Sequence, residues 1–356
     1  MAPVANGKST SKRPLRTFDS NGRQIPSNYT GYLLQISEFW ASSSRFVQTF
    51  TQTDKMLIKI GYDIALRFPI PTAVIHLLHV HPTRRSDLVG PEHFLTEPVL
   101  PLEKYYDSFG NHRGRLHAPA GTLRLLSETV IRDSGAPDPY APNVAQLDIS
   151  ELPPAALEFL LPSRYCEVDS ELMDFAWRTF SATRPGWERV QAVCSFVHEH
   201  LRFDYQQARA DRTALEAFRE QVGVCRDFTH LAIAFCRCLN IPARYATGYL
   251  GDIGVPPVPD PMDFSAWFEV YLQGHWYTFD ARHNRRRIGR VLIGRGRDAA
   301  DVPITMSFGK QTLEVFRVIT EEIDMAAVSD LLITQPSGRS QSEIAGARSY
   351  NNEHVL

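Results

Sequence analysis

Of the five cysteines in the chain, Cys225 is the one whose surroundings suggest chemistry. It directly follows Gly223-Val224 and opens a strongly apolar run, so it falls in the first turn of an expected helix. Orphan backbone N–H groups and the helix dipole favour a thiolate there, and the same donors can hold an oxyanion, as a nucleophilic cysteine requires. Helix-terminus effects of about 0.3 to 2 kcal/mol would bring its pKa from ~8.5 towards ~7. The competing reading is a small apolar residue at a helix start, because free cysteine is among the most buried residue types. Cys166, Cys194, Cys236 and Cys238 complete an odd set with no paired C-x-x-C spacing, so free thiols are expected.

Histidines and arginines supply the other signals. His230 lies five residues after Cys225, about 140° round a helix, which suits packing better than partnership with the thiol. His76, His79 and His81 cluster, and His79 and His81 would share a face of a strand. With no acidic ligand or cysteine nearby in the sequence, no metal is expected there, and no cofactor is expected elsewhere. Arg282, Arg285, Arg286, Arg287, Arg290, Arg295 and Arg297 run without an intervening acid up to Arg297. They read as a solvated basic face, with recognition of anionic groups along Arg282 to Arg297 left open. The run lacks the interleaved aromatics that nucleic-acid binding uses.

Elements that could position these groups can be read from period and punctuation. Short apolar runs at 57–68, 73–80, 105–109, 113–117 and 123–131 predict an antiparallel β-domain, with Gly110 and Asn111 supplying positive φ in a hairpin turn. The Pro-rich stretch 134–142 is the expected boundary. Beyond it Val190, Val193, Cys194, Val197 and Leu201 share one helical face. Asp169 or Ser170 can cap a helix ending at Phe180, another covers 213–221, and a third runs from about Cys225 to Leu239. Strands follow at 243–250, 264–272 and 275–280. The expected organisation is a mobile extension over 1–52, a β-rich domain over 53–140, a core over 141–325 and a polar tail over 326–356.

Gly223-Val224-Cys225-Arg226-Asp227-Phe228-Thr229-His230-Leu231, then Asn240-Ile241-Pro242-Ala243-Arg244-Tyr245 and Gly248-Tyr249, closely resemble the transglutaminase-like core. Phe264 to Leu272, Trp276 and Phe279-Asp280 resemble the strand pair that carries that family's His and Asp. Tyr62, the turn at 107–111 and Asp133-Ser134-Gly135 resemble the β-domain found before the core in bacterial members. The resemblance implies an α+β chain: an N-terminal antiparallel β-sandwich-like domain followed by a transglutaminase-like, papain-like core. It also implies a Cys-His-Asp triad. Cys225 and Asp280 fall on the expected positions, but Ser265 stands where the family has His.

A two-residue turn at Gln273-Gly274 would set Leu272 opposite His275, Trp267 opposite Asp280 and Ser265 opposite Arg282, all on one face apart from the first pair. By that parity His283 points away if the strand continues, and a turn after Asp280 swings it back. Three outcomes of losing the family His are expected: another group replaces it, His283 first; acyl donors with better leaving groups, such as thioesters, are used; or catalysis is lost. The expected function is cysteine-dependent acyl transfer or amide/peptide hydrolysis through a Cys225 acyl-enzyme, on a peptide, amide or thioester substrate. The alternative is a catalytically impaired binding or scaffold protein. Site residues are Cys225, Asp280, Ser265 and His283.

The 356 residues (40.3 kDa) are 43% hydrophobic and 22% charged, which fits a chain able to bury a substantial core. Lys plus Arg number 38 against 40 for Asp plus Glu, so no overall field draws in nucleic acid or an anionic membrane, and neither is expected as a partner. With no long apolar stretch or secretory h-region, a cytoplasmic location is expected.

Overall fold

The computed structural model describes residues 56–258 and 262–324. The expected N-terminal extension and polar tail lie outside the described residues.

Two antiparallel four-stranded sheets form the β-rich part. One has the order β14-β1-β6-β3, built from β14 (Thr312–Ile323), β1 (Met56–Phe68), β6 (Gly121–Asp133) and β3 (Leu95–Glu97). The other has the order β13-β2-β5-β4, from β13 (Thr305–Ser307), β2 (Thr72–His76), β5 (His112–Ala118) and β4 (Glu103–Tyr106). β1 pairs with β6 from Met56↔Asp133 to Phe68↔Gly121, and on its other edge with β14 from Leu57↔Ile323 to Arg67↔Thr312. Its run of apolar residues, buried on both faces, is what a central strand needs. Two strands from the far end of the chain thus complete the sheets begun at its start.

The expected turn at 107–111 forms, with a correction. Gly110 takes positive φ (78°), but Asn111 does not. Asn111 is instead buried and donates through its side-chain amide to Asp107 (2.9 Å) and the Arg295 carbonyl (2.7 Å). Its polarity serves to tie the hairpin to a distant strand.

Beyond a single helical turn at Pro154–Leu157, four longer helices follow among the described residues: α1 (Glu171–Phe180), α2 (Trp187–His200), α3 (Ala214–Glu220) and α4 (Cys225–Cys238). Ser170 caps α1 by accepting from the Leu172 N–H, and Thr213 with Glu216 forms a capping box on α3. The expected face of α2 is the buried one. Between α2 and α4, the short strands β7 (Arg202–Phe203) and β8 (Val222–Gly223) pair in parallel. α4 is the buried axis, with every residue from Asp227 to Cys238 buried.

α4 packs against a third sheet of order β11-β10-β9-β12, from β11 (His275–Phe279), β10 (Ser265–Leu272), β9 (Ala243–Tyr249) and β12 (Val291–Gly296). The β10–β11 hairpin has Leu272 opposite His275, with Gln273 (φ 45°) and Gly274 (φ 88°) in the left-handed conformation of a type I′ turn. Gly248 on β9 lies opposite Ser265, and a Cβ there would sit 2.1 Å from the Val291 carbonyl oxygen and 3.0 Å from the Trp267 ring. One continuous apolar core runs from Ile58, Ile64 and Leu125 in the β-rich part to Leu231, Phe235 and Phe268.

Candidate active site

Cys225 sits in the first turn of α4, after Val224. The preceding strand β8 is anchored to this helix, because Asp227 accepts the Val224 N–H (2.9 Å) and pairs with the buried Arg212 (3.1 Å). Gly223 allows that closeness, since a Cβ there would approach the Asp227 Cβ to 2.6 Å. The nucleophile candidate is therefore held from both sides of the turn.

Its electrostatics differ from the expectation of a lowered pKa. Burial pushes the Cys225 thiol up to about 11, opposed by the Arg282 guanidinium and by a hydrogen bond from the Ala266 N–H, and reinforced by Asp263. Although the residue is only half-buried, its sulfur is tucked under β10, and desolvation outweighs a dipole worth at most about 2 kcal/mol. The resting group is a neutral thiol that needs a base.

The β10–β11 ladder ends at Phe268↔Phe279, so Ser265 does not pair with Arg282 as the extended register would have it. After Asp280 the chain turns: the Asn284 N–H donates to the Asp280 carbonyl (2.8 Å) and the His283 N–H to Asp280 Oδ1 (3.0 Å). This turn brings His283 back, and its Nδ1–H donates to Asp280 Oδ2 at 2.9 Å. A carboxylate at Nδ1 leaves the lone pair on Nε2.

Burial alone would raise the Asp280 carboxyl, but the Arg290 guanidinium and the hydrogen bond from His283 hold it well below the usual carboxylate range. Arg290 donates to Asp280 Oδ2 (2.8 Å) and to both oxygens of Asp138 (3.0 Å each), and lies 5.0 Å from the Trp267 ring centre. Asp138 belongs to the Pro-rich stretch expected to act as a boundary, and it also accepts the Arg287 N–H (2.9 Å). From the other side α2 holds the turn, with the His198 Nδ1–H donating to the Arg282 carbonyl (2.7 Å) and Gln191 to Asn284 (2.7 Å).

Ser265, His283, Arg282, Arg285, Asp263 and Tyr205 line one cleft. Cys225 adjoins it: Arg282 and Asp263 both act on its charge, and its sulfur takes the N–H of the residue after Ser265. Ser265 is buried, and its Oγ has no hydrogen-bond partner. Arg282 stacks 3.7 Å from the Phe203 ring centre and donates to Tyr205. Asp263, pushed up to about 6 by burial, and Tyr205 were missed in sequence, where only proximity to Ser265 marked the first and nothing marked the second.

The arginine run is not a solvated face. Arg287 and Arg290 are buried, Arg295 pairs with the buried Glu269 (2.8 Å), Arg297 with Asp301 (2.9 Å), and Arg286 donates to the Asp138 carbonyl. Arg282 and Arg285 are the members, with Arg287, that border the cleft. His230 is a packing residue as expected: buried, stacked on Tyr165 (5.1 Å), and accepting the Ala299 N–H at Nε2 (3.1 Å). All five cysteines are free thiols.

The histidine cluster departs from expectation in two respects. β2 ends at His76, so His79 and His81 do not share a strand face, and an acidic partner is present after all: Glu92 lies 3.0 Å from His79 Nδ1.

A model of the transglutaminase-like superfamily matches residues 175–281, the segment that runs from α1 past Cys225 to the residue after Asp280. The chain carries a transglutaminase-like core behind a β-rich N-terminal part. A crystal structure from Cytophaga hutchinsonii, described as a candidate cysteine protease, superimposes with a TM-score of 0.66 at 29% identity, covering 77% of this chain and 92% of that one. An uncharacterised protein of Mycobacterium tuberculosis is 28% identical over 233 residues, 59% of this chain and 74% of that protein. One from Mycobacterium leprae is 26% identical over 217 residues, 58% of this chain and 76% of that protein.

Proposed function

We propose that the chain is a cysteine-dependent acyl-transfer or amide/peptide-hydrolysing enzyme working through a Cys225 acyl-enzyme, with His283 in place of the family His. The observation that carries this reading is the 2.9 Å His283–Asp280 hydrogen bond at the cleft beside Cys225. In it, His283 Nε2 takes the thiol proton as sulfur attacks the acyl carbon, and the Cys225 N–H supports the oxyanion. The imidazolium then protonates the leaving group, which departs as the carbonyl reforms, and water or an acceptor nucleophile releases the acyl chain. Asp280 fixes the ring and offsets its charge. Arg282 and Arg285 favour acyl donors bearing an anionic group near the scissile bond. The similarity to the Cytophaga hutchinsonii candidate protease supports peptide or amide substrates.

Intact-mass measurement after brief exposure to an activated ester or thioester tests the reading. One acyl group per chain, absent in Cys225→Ala and strongly reduced in His283→Ala, is expected. Acylation that survives Cys225→Ala would refute it.

A second reading, a catalytically impaired scaffold, is favoured by the raised thiol pKa and by Ser265. It predicts no adduct in the wild type and its appearance in Ser265→His.

A further inference from the structure

We propose that His79, Glu92 and His112 form a binding site for one divalent first-row transition-metal ion, of the class that accepts imidazole and carboxylate ligands. None of the three lines the cysteine cleft. The β2–β5 ladder, which pairs His76 with Gly114, brings the end of β2 beside His112 at the start of β5. The segment before β3 adds Glu92. Each residue offers one ligand atom, and these lie within 4.8 Å of one another.

One observation points to a ligand: His79 is fully buried and its Nε2 has no hydrogen-bond partner, and the same is true of both ring nitrogens of His76. Buried polar groups are nearly always satisfied, so three orphaned nitrogens in adjoining rings call for an occupant. The packing closes tightly on these rings. Gly114 faces His76, where a Cβ would stand 2.1 Å from Nε2. Phe94, stacked on His76 at 4.4 Å, closes that side without offering a donor or acceptor.

Glu92 is held in place, since its Oε1 accepts the Val80 N–H at 2.7 Å while Oε2 faces His79 at 3.0 Å. Two His and one Glu leave a fourth position to water or to His76, whose ring centre is 5.5 Å from that of His79. A ligated ion lies in the plane of each imidazole. His79 and His112 are stacked at 4.3 Å and 21°, so binding must turn the His112 ring out of the stack. His112 opens β5 and is less deeply buried than His79.

The test uses the full chain, stripped with a chelator and titrated with Zn2+ and Co2+. One ion per chain is expected, with Co2+ absorption bands free of thiolate charge transfer. Glu92→Gln and His112→Asn should each weaken Zn2+ binding by about 10- to 100-fold or more, with unchanged circular dichroism. Anomalous scattering from a Zn2+-loaded wild-type crystal gives a readout independent of how the variants fold, with the peak expected between His79, Glu92 and His112. No stoichiometric uptake, a thiolate charge-transfer band, uptake unaffected by both substitutions in folded protein, or an anomalous peak elsewhere would each overturn the site.

Discussion

Cys225 and Asp280 occupy oppositely perturbed environments. The thiol is kept neutral by burial, while the carboxylate is kept ionised by Arg290 and His283 despite burial. A group whose folded pKa is raised stabilises the fold below its unfolded pKa, and that contribution is lost as pH rises through the folded value. Cys225 should therefore cost stability between about pH 8.5 and 11, by at most ~3 kcal/mol. Alkaline denaturation of Cys225→Ala beside wild type reads this: the variant should lose less stability across that window, and parallel curves would contradict it. For Asp280 the sign is reversed. Its contribution is full above its unfolded pKa near 4 and is lost as pH falls below that. Asp280→Asn leaves Arg290 and His283 without their shared anion and should cost roughly 3–5 kcal/mol at neutral pH, measured by urea unfolding. A change below 1 kcal/mol would show that Asp138 alone satisfies Arg290.

Between the elements, the turn at 281–284 decides where His283 points. It is held by α2 through His198 and Gln191 and closed on Asp280. His198→Ala should loosen that turn and slow Cys225 alkylation near neutral pH several-fold, while moving the melting temperature by only a few degrees. Equal loss of both would mean that His198 acts through overall stability. Gly223→Ala is different, because its Cβ would meet Asp227 at 2.6 Å where the strand and α4 join. It should destabilise by about 1–3 kcal/mol, seen as a lower urea midpoint.

Much at this scale was legible in sequence. The period-3.6 face of α2, the cap at Ser170, the helix over 213–221 and the Gln273-Gly274 turn are local signals, and each element formed where its signal lay. β12, β13 and β14 went unread. Gly and Arg interrupt β12, β13 is three residues long, and the partner of β14 is more than 240 residues earlier. Cys225, Asp280 and His283 could be named from motif and spacing. Asp138, Tyr205 and Asp263 could not, because their roles depend on pairings and burial that arise only once distant segments meet.

At the scale of the molecule, β14 and β13 join the last described segment to the first, and Asp138 ties the Pro-rich stretch to Arg290 under the site. The β-rich part and the helical part also share one apolar core. They should consequently unfold together in a single transition seen alike by fluorescence and circular dichroism. Truncation before Thr312 would strip β1 of one partner strand and should abolish that transition. Two separated transitions in the intact chain would show that the shared strands do not couple the halves.

The central claim, that His283 supplies the base missing at Ser265, is tested most directly by the rate of Cys225 alkylation with iodoacetamide from pH 6 to 11. Wild type and His283→Ala are compared, with Cys225→Ala as background and Ser265→His in the His283→Ala chain as rescue. Wild type should react near neutral pH at least ~10-fold faster than His283→Ala, given the ~100-fold or greater effect of a positioned base. The variant's rate should climb only as the buried thiol titrates towards about 11, and Ser265→His should restore part of the loss. Identical pH profiles for wild type and His283→Ala would contradict the assignment.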